Sequence, residues 1–375
     1  MKNTKYLFDE DKHTPEGMVS VSQLQSFMSC GKKWEYGYVE NLTPRVERPY
    51  LSIGKLCHTG MQVAMTEMWK IQHEMGGCST NWFEEVLHTA MNALDDEFYH
   101  YLHSSNFLDE EIPDLEQMHM DAAEVFRQAF NEFQPWKYEV YTLQKNGKKI
   151  PALELHFVVP CAGSKGLHGF IDAILLDNTT GFLWCTDYKF RKSLSPDEEE
   201  ANNVQNAVYT YACNKMGIPV TGTMTWQHIN TPAVTPGINK NGTISRAKIK
   251  TTWDRYAKFC REHGNDPEDY REEMEPKLAD NEFFRATYEY RNPEFVKAIW
   301  GDVIVPASYA VKSARTKNNR RSLYPWNCKM CQYQSLCQAE LRGYDAEAIR
   351  QREYVVRSHA RVDKKPLDNS KSDVL

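Results

Sequence analysis

Gly169-Phe170-Ile171-Asp172-Ala173-Ile174-Leu175-Leu176 and Phe182-Leu183-Trp184-Cys185-Thr186-Asp187-Tyr188-Lys189, separated by Asp177-Asn178-Thr179-Thr180-Gly181, decide how this chain is read. The outer runs are apolar, β-branched or aromatic, and the five residues between them are turn formers, so a β-hairpin is expected. Strand residues two apart share a face. Asp187 and Lys189 therefore point one way, Thr186 and Tyr188 the other, and Asp172 on the preceding strand is placed to join them. Side-by-side carboxylates repel unless a cation neutralises them, and a hard, oxygen-preferring ion such as Mg2+ or Mn2+ fits. Such an ion lowers the pKa of its bound water and offsets charge on a phosphate, while a nearby lysine orients or helps to deprotonate that water. Taken alone, Asp-x-Lys reads as a surface ion pair. The flanks Ile174, Leu175, Leu176, Phe182, Leu183, Trp184 and Cys185 argue instead for a buried hairpin, where an unneutralised carboxylate is costly.

Outward from the hairpin the texture changes twice. Residues 1–17 form a polar leader, and Ser20 or Ser22 caps a short helix carrying Leu24, Phe27 and Met28. Helical stripes follow from about Gly54 to Trp69, near 82–101 and near 115–134. After Pro135 the segments 137–143, 152–159, 167–176 and 182–190 read as strands, followed by a helix near 200–216 and a strand near 220–229. A projecting loop at 232–246, two helices and a strand from Phe283 to Tyr290 complete the pattern. The order implies an α/β fold, a sheet flanked by helices with helical additions before and after it. The expected division is a leader at 1–17, a helical region at 18–135, a core at 136–305, a basic and cysteine-bearing segment at 306–345 and a tail at 346–375, polar and disordered from Lys364.

A net charge of -6 excludes a protein that coats nucleic acid by bulk charge, but not one with a local basic strip. No apolar run is long enough to span a bilayer, and Met1 to Gly17 lacks an apolar signal core. Ten cysteines without such a signal suggest a reducing cytoplasm, where clustered cysteines bind metal and isolated ones pack. There is no GxxxxGK[ST] loop, hence no built-in nucleotide motor.

Four further features bear on chemistry. Gln205 and Tyr209 share a helical face, suited to a phosphate or base and equally to a satisfied amide beside a half-buried ring. His58 falls at the edge of its helix's apolar stripe, facing the sheet, where two carboxylates await a third ligand. Cys328, Cys331 and Cys337 make an incomplete four-ligand site for zinc or an iron–sulfur cluster; Cys30 is one source of the fourth ligand, and a local histidine the rival. Lys312, Arg315, Lys317, Arg320 and Arg321, followed by Tyr324 and Trp326, form a basic strip with stacking aromatics, suited to single-stranded DNA or else a solvated loop.

Together these residues resemble a known family. Ser22-Gln23-Leu24 through Cys30-Gly31-Lys32-Lys33-Trp34, Gly54 to His58, Gly169 to Asp172, Asp187 to Lys189 and Gln205 to Tyr209 are similar, in order, to the motifs of the RecB-like branch of the PD-(D/E)xK nucleases. That branch includes CRISPR-adaptation nucleases and recombination exonuclease domains. The resemblance implies a restriction-endonuclease-like core. It implies that His58, Asp172, Asp187 and the Tyr188 carbonyl bind the metal, that Lys189 positions or activates water, and that Gln205 and Tyr209 contact DNA. It also implies a [4Fe-4S] cluster on Cys30, Cys328, Cys331 and Cys337. Gly31 stands where the pattern has proline, and Trp34 where it has phenylalanine or tyrosine. The implied activity is a metal-dependent exonuclease acting on single-stranded or resected DNA ends in recombination, repair or processing, alone or with partner proteins. An endonuclease or flap-processing enzyme, a CRISPR-adaptation-type trimming nuclease and a non-catalytic DNA-end-binding scaffold are the alternatives. The intact Asp172, Asp187 and Lys189 speak against the scaffold.

Overall fold

The Ser20 hydroxyl accepts the Gln23 amide at 3.1 Å and so caps the first helix, α1 (Val21–Ser29), directly after strand β1 (Val19–Ser20). The structure, a computed structural model, describes residues 17–45, 49–73, 81–104, 107, 109–145, 147–314 and 317–356. The expectations for residues 1–16 and for the tail beyond 356 lie outside these residues.

Helix α2 (Gly31–Trp34) and strand β2 (Leu42–Pro44) lead into three long helices, α3 (Pro49–His73), α4 (Trp82–Ser104) and α5 (Ile112–Phe133). On α5 the residues Leu115, Met118, Ala122, Val125, Phe126, Ala129, Phe130 and Phe133 recur at helical spacing and all are buried. Each large side chain so buried contributes about 1.5–3 kcal/mol. Strands β3 (Tyr138–Val140), β4 (Thr142–Lys145), β5 (Lys148–Pro151), β6 (Leu153–Val159), β7 (Leu167–Asp177) and β8 (Leu183–Arg191) follow. The segment read as one strand over 137–143 is thus two, and β4 leaves the main sheet to pair with β5.

The helix expected near 200–216 is interrupted. It forms as α6 (Asp197–Ala201) and α7 (Val204–Met216), because the Asn203 side chain accepts the Gln205 amide at 3.0 Å and starts a new helix. Strand β9 (Gly222–Ile229), helices α8 (Trp253–Glu262) and α9 (Glu268–Leu278), and strand β10 (Phe284–Tyr290) come next. The loop at 232–246 carries one isolated bridge, between Ile238 and Ile244. Helices α10 (Pro293–Ile299), α11 (Val305–Ser313), α12 (Pro325–Lys329), α13 (Gln334–Arg342) and α14 (Ala346–Glu353) precede strand β11 (Tyr354–Val356). Residues 346–356, expected to begin the tail, are therefore a helix and a strand, and β11 pairs antiparallel with β2.

The main sheet runs β1-β7-β8-β9-β10, with β3 and β6 on the other edge of β7. It is mixed: β7–β8 and β9–β10 are antiparallel, β1–β7 and β8–β9 parallel. Trp184, Tyr188 and Phe190 of β8 join the core under α3, α4 and α5. Leu183 and Cys185 join the opposite core with Val208, Ala212 and Cys213 of α7. The sheet is covered on both faces, the α/β arrangement expected from the element order.

Candidate active site

Strand β7 is longer than its pairing with β8. The ladder holds from Ala173–Thr186 to Leu176–Leu183 and stops there. Towards its start β7 pairs with β6, and at Leu167 and His168 with β1. Between these partners the edge of β7 facing β8 opens at Gly169–Asp172. The Asp172 carboxylate fills the opening: its Oδ2 accepts the Tyr188 amide at 2.8 Å, in place of a backbone acceptor. Gly169 is needed beside it, since a Cβ there would stand 2.8 Å from the Phe157 ring.

On β8, Asp187 and Lys189 do share a face. The Lys189 ammonium lies 2.7 Å from each Asp187 oxygen, and side-chain exposure is 3% for Asp187 against 24% for Lys189. The Lys189 contact at Asp187 Oδ2 lacks hydrogen-bond geometry, which leaves that buried oxygen without a hydrogen bond. Burial pushes the Asp187 carboxyl up to about 6, with the Asp172 charge adding to it and Lys189 opposing it. Burial also works against the Lys189 ammonium, but Asp187 and Asp172 outweigh it and hold its pKa above the ordinary lysine value.

His58 comes from α3 on the other side of the opening. Its Nδ1 is 3.7 Å from Asp172 Oδ2, and its ring meets Tyr188 and Phe190 edge-on. On α7 Gln205 donates to the Tyr209 hydroxyl, and the buried Tyr209 phenol is held well above its usual pKa by burial and then by the charges of Asp187 and Asp172. Four separate elements thus bring His58, Asp172, Asp187, Lys189, Gln205 and Tyr209 to one place. Among the described residues no three His, Cys, Asp or Glu side chains stand close enough together to hold a metal ion as they are. Lys189 neutralises Asp187 instead. The chemistry of the donor set still suits a hard divalent ion: two carboxylates and an imidazole, with one buried carboxylate oxygen lacking a hydrogen bond and an ammonium standing in for a cation.

Two residues that the sequence reading did not single out stand here as well. Glu154 on β6 lies between the pairs Leu153–Ala173 and Leu155–Ile171, hence opposite Asp172, with a left-handed φ of 43°. Only sheet register brings it there. Arg191 follows Lys189 on the same face of β8, and the period-two rule that linked Asp187 to Lys189 was a signal for it too.

The cysteine-bearing segment folds back on the start of the chain. Cys30, Cys328, Cys331 and Cys337 line one pocket with Lys32, Tyr36 and Arg321. The Ser322 amide donates to Cys30 Sγ at 3.4 Å, and Cys328 Sγ donates to the Ser322 carbonyl at 3.6 Å. Gly31 permits this approach: the Lys32 amide donates to the Arg320 carbonyl at 3.0 Å, and a Cβ at Gly31 would stand 3.0 Å from that oxygen. The remaining described cysteines, Cys57, Cys161, Cys185, Cys213 and Cys260, are buried packing residues, while Cys78 lies outside the described residues.

Of the basic strip, Lys312, Lys317 and Arg320 are exposed. Arg321 is instead bound to Glu340 beside the cysteines, and Arg315 lies outside the described residues. Leu323, Tyr324 and Trp326 are 62–67% exposed. No helix among the described residues is long and apolar enough to cross a membrane.

A mixed sheet covered by helices on both faces, with an aspartate on one strand and Asp-x-Lys on the next, is the frame of a nuclease of the restriction-endonuclease kind. The chain belongs to the PD-(D/E)XK nuclease superfamily, whose family model matches residues 18–338. No curated protein matches the chain.

Proposed function

We propose that this protein is a divalent-metal-dependent deoxyribonuclease of the RecB-like branch that hydrolyses phosphodiester bonds from DNA ends. The observation that carries the reading is the junction of β7 and β8, where Asp172, Asp187, Lys189 and His58 converge. His58, Asp172, Asp187 and the Tyr188 carbonyl are the proposed metal ligands. When bound, Mg2+ or Mn2+ supplies Lewis acidity: water beside it is more easily deprotonated and charge on the phosphate is offset. With an ion bound, Asp187 would hold it in place of the Lys189 ammonium. Lys189, an ammonium, would donate to the attacking water and orient it, and the water's proton would leave to solvent. Gln205 and Tyr209, one residue pair on α7, orient the phosphate strand. End-labelled linear DNA and covalently closed circular DNA, each incubated with Mg2+ or Mn2+, test the reading. Loss of the linear form alone is the expected result; cutting of circles identifies an endonuclease instead, and no cleavage of either refutes the nuclease reading.

The raised Asp187 pKa makes metal binding pH-dependent. A carboxyl lifted from 3.8 to about 6 keeps its proton in the folded protein up to about pH 6. Metal binding needs the carboxylate. Calorimetry should therefore show Mn2+ affinity falling as pH drops through about 6, with a proton released per ion bound below that pH. In the metal-free protein the same shift has the opposite sense to an ordinary carboxylate: its contribution to stability declines as pH rises from 3.8 to about 6. Affinity independent of pH between 5 and 7 contradicts the assignment of Asp187 as a ligand.

The exposed Lys312, Lys317 and Arg320, next to the exposed Tyr324 and Trp326, support a path for single-stranded DNA. Neutralising these three cations should weaken DNA binding and reduce the slope of log K against log salt by about 0.7 for each single-strand phosphate that is no longer neutralised. An unchanged slope makes the strip a solvated loop. Arg321, bound to Glu340, is assigned to holding the cysteine segment rather than DNA. Cys30, Cys328, Cys331 and Cys337 line one pocket, although among the described residues they do not stand close enough together to hold a metal as they are, and a [4Fe-4S] cluster is proposed there on that lining and on the resemblance.

A further inference from the structure

We propose that Arg191 holds non-bridging oxygens of the DNA phosphate beside Lys189, an inference that rests on the nuclease reading. The period of two that aligns Asp187 with Lys189 puts Arg191 on the same face, at the end of β8. Its guanidinium is anchored through one nitrogen. Nη1 donates to Glu200 Oε1 at 2.8 Å, to Gln227 Oε1 at 3.1 Å and to the Ser195 hydroxyl. Nε and Nη2 make no hydrogen bond among the described residues.

The anchor is built for stiffness. The Glu200 side chain is 2% exposed, and its Oε2 accepts Asn203 Nδ2 at 3.0 Å and Thr225 Oγ1 at 3.3 Å. Gln227 is fully buried, accepts the Ser195 amide at 2.8 Å and donates to the Ser195 carbonyl at 3.2 Å. An arginine whose whole task was to neutralise Glu200 would present its two-nitrogen fork to the carboxylate. Here the carboxylate takes one nitrogen, and the Nε–Nη2 edge is left over on a side chain that is 27% exposed. That edge carries two parallel N–H groups at the spacing of two phosphate oxygens. Arg191 stands close enough to Lys189 for the two positive charges to repel, and the two residues share one face of β8. A donor fixed before the substrate arrives is most effective where water is excluded.

The deciding variant is Arg191→Lys, which keeps a cation for Glu200 and removes the fork. Arg191→Ala also leaves the buried Glu200 without its ion-pair partner and is expected to lose stability along with activity. Both are compared with the wild type on one DNA carrying native linkages and on copies carrying a single neutral methylphosphonate at successive positions around the cleaved bond. Arg191→Lys is expected to melt within a few degrees of wild type and to lose about 10²-fold in kcat/KM. At one position the methylphosphonate should slow the wild type but not slow Arg191→Lys further. Wild-type kcat/KM in Arg191→Lys, or penalties that multiply at every position, overturns the proposal. A wild-type protein that cleaves no DNA at all overturns the nuclease reading first, and this inference with it.

Discussion

Lys189→Ala should lower Mg2+- or Mn2+-dependent DNA cleavage by about 10²- to 10⁴-fold, the usual cost of removing a group that positions the reacting water for proton transfer. Asp187→Ala should cost at least as much, because it removes a proposed ligand and with it the several kcal/mol that a Lewis acid supplies. The two variants should part company in stability. Asp187 is a buried carboxyl whose ionised form is disfavoured, so its removal relieves the metal-free protein of a charge it tolerates poorly. Lys189→Ala does the reverse. It leaves the Asp187 carboxylate at 3% exposure without its cation, a change of the kind that costs about 3–5 kcal/mol when one partner of a buried pair is removed. Melting curves and rates measured together on both variants check both expectations. Undiminished cleavage by both, with contaminating nuclease excluded, would falsify the site assignment.

The second large effect concerns the cysteines. Purified without oxygen, the protein should be brown, with bound iron and sulfide, and Cys30→Ser should bleach it as completely as Cys331→Ser. The expectation rests on one pocket lined by Cys30 from the start of the chain and by Cys328, Cys331 and Cys337 from its far end. Binding free energy at such a site becomes folding free energy, on the order of 10 kcal/mol for structural metal sites. The loss should loosen the ends without freeing them. Tyr36, Leu42, Tyr333, Leu336 and Tyr354 form a small core of their own, and the Tyr333 hydroxyl donates to the Leu42 carbonyl at 2.8 Å. The pairing of β2 with β11 and the Arg350–Glu40 ion pair tie the same two regions. Limited proteolysis of Cys30→Ser should therefore cut first in the segment around 317–332 and later elsewhere. A colourless protein with one zinc per chain refutes the iron–sulfur reading and keeps the staple. Full cluster content in Cys30→Ser refutes the link between the ends.

Asp187 and Lys189 were readable because strand geometry is local: two residues apart on any strand means one face. Asp172 was readable as a neighbour because the turn at 177–181 joins its strand to theirs, and that hairpin formed. The same local rule reached Arg191, but its anchor did not follow from it, since Ser195, Glu200 and Gln227 come from a loop, a helix and a second strand. The helix read over 200–216 was right in kind and wrong in continuity. Asn202 and Asn203 interrupt it, and a side-chain cap of that sort competes with the helix in a way that periodicity does not register.

The α/β class, the hairpin, the shared face of Asp187 and Lys189, and the grouping of three cysteines within one short segment all follow from local features of the chain. Those are short-range properties, set by backbone periodicity and turn chemistry. Long-range packing, by contrast, makes β7 outrun its pairing with β8, so that the Asp172 carboxylate takes the Tyr188 amide. The same packing brings Glu154 opposite Asp172, ties Arg321 to Glu340 and lays Arg320 across Gly31. Each of these joins residues distant in the chain, and such pairings depend on how buried faces pack and which polar groups must be satisfied once water is gone.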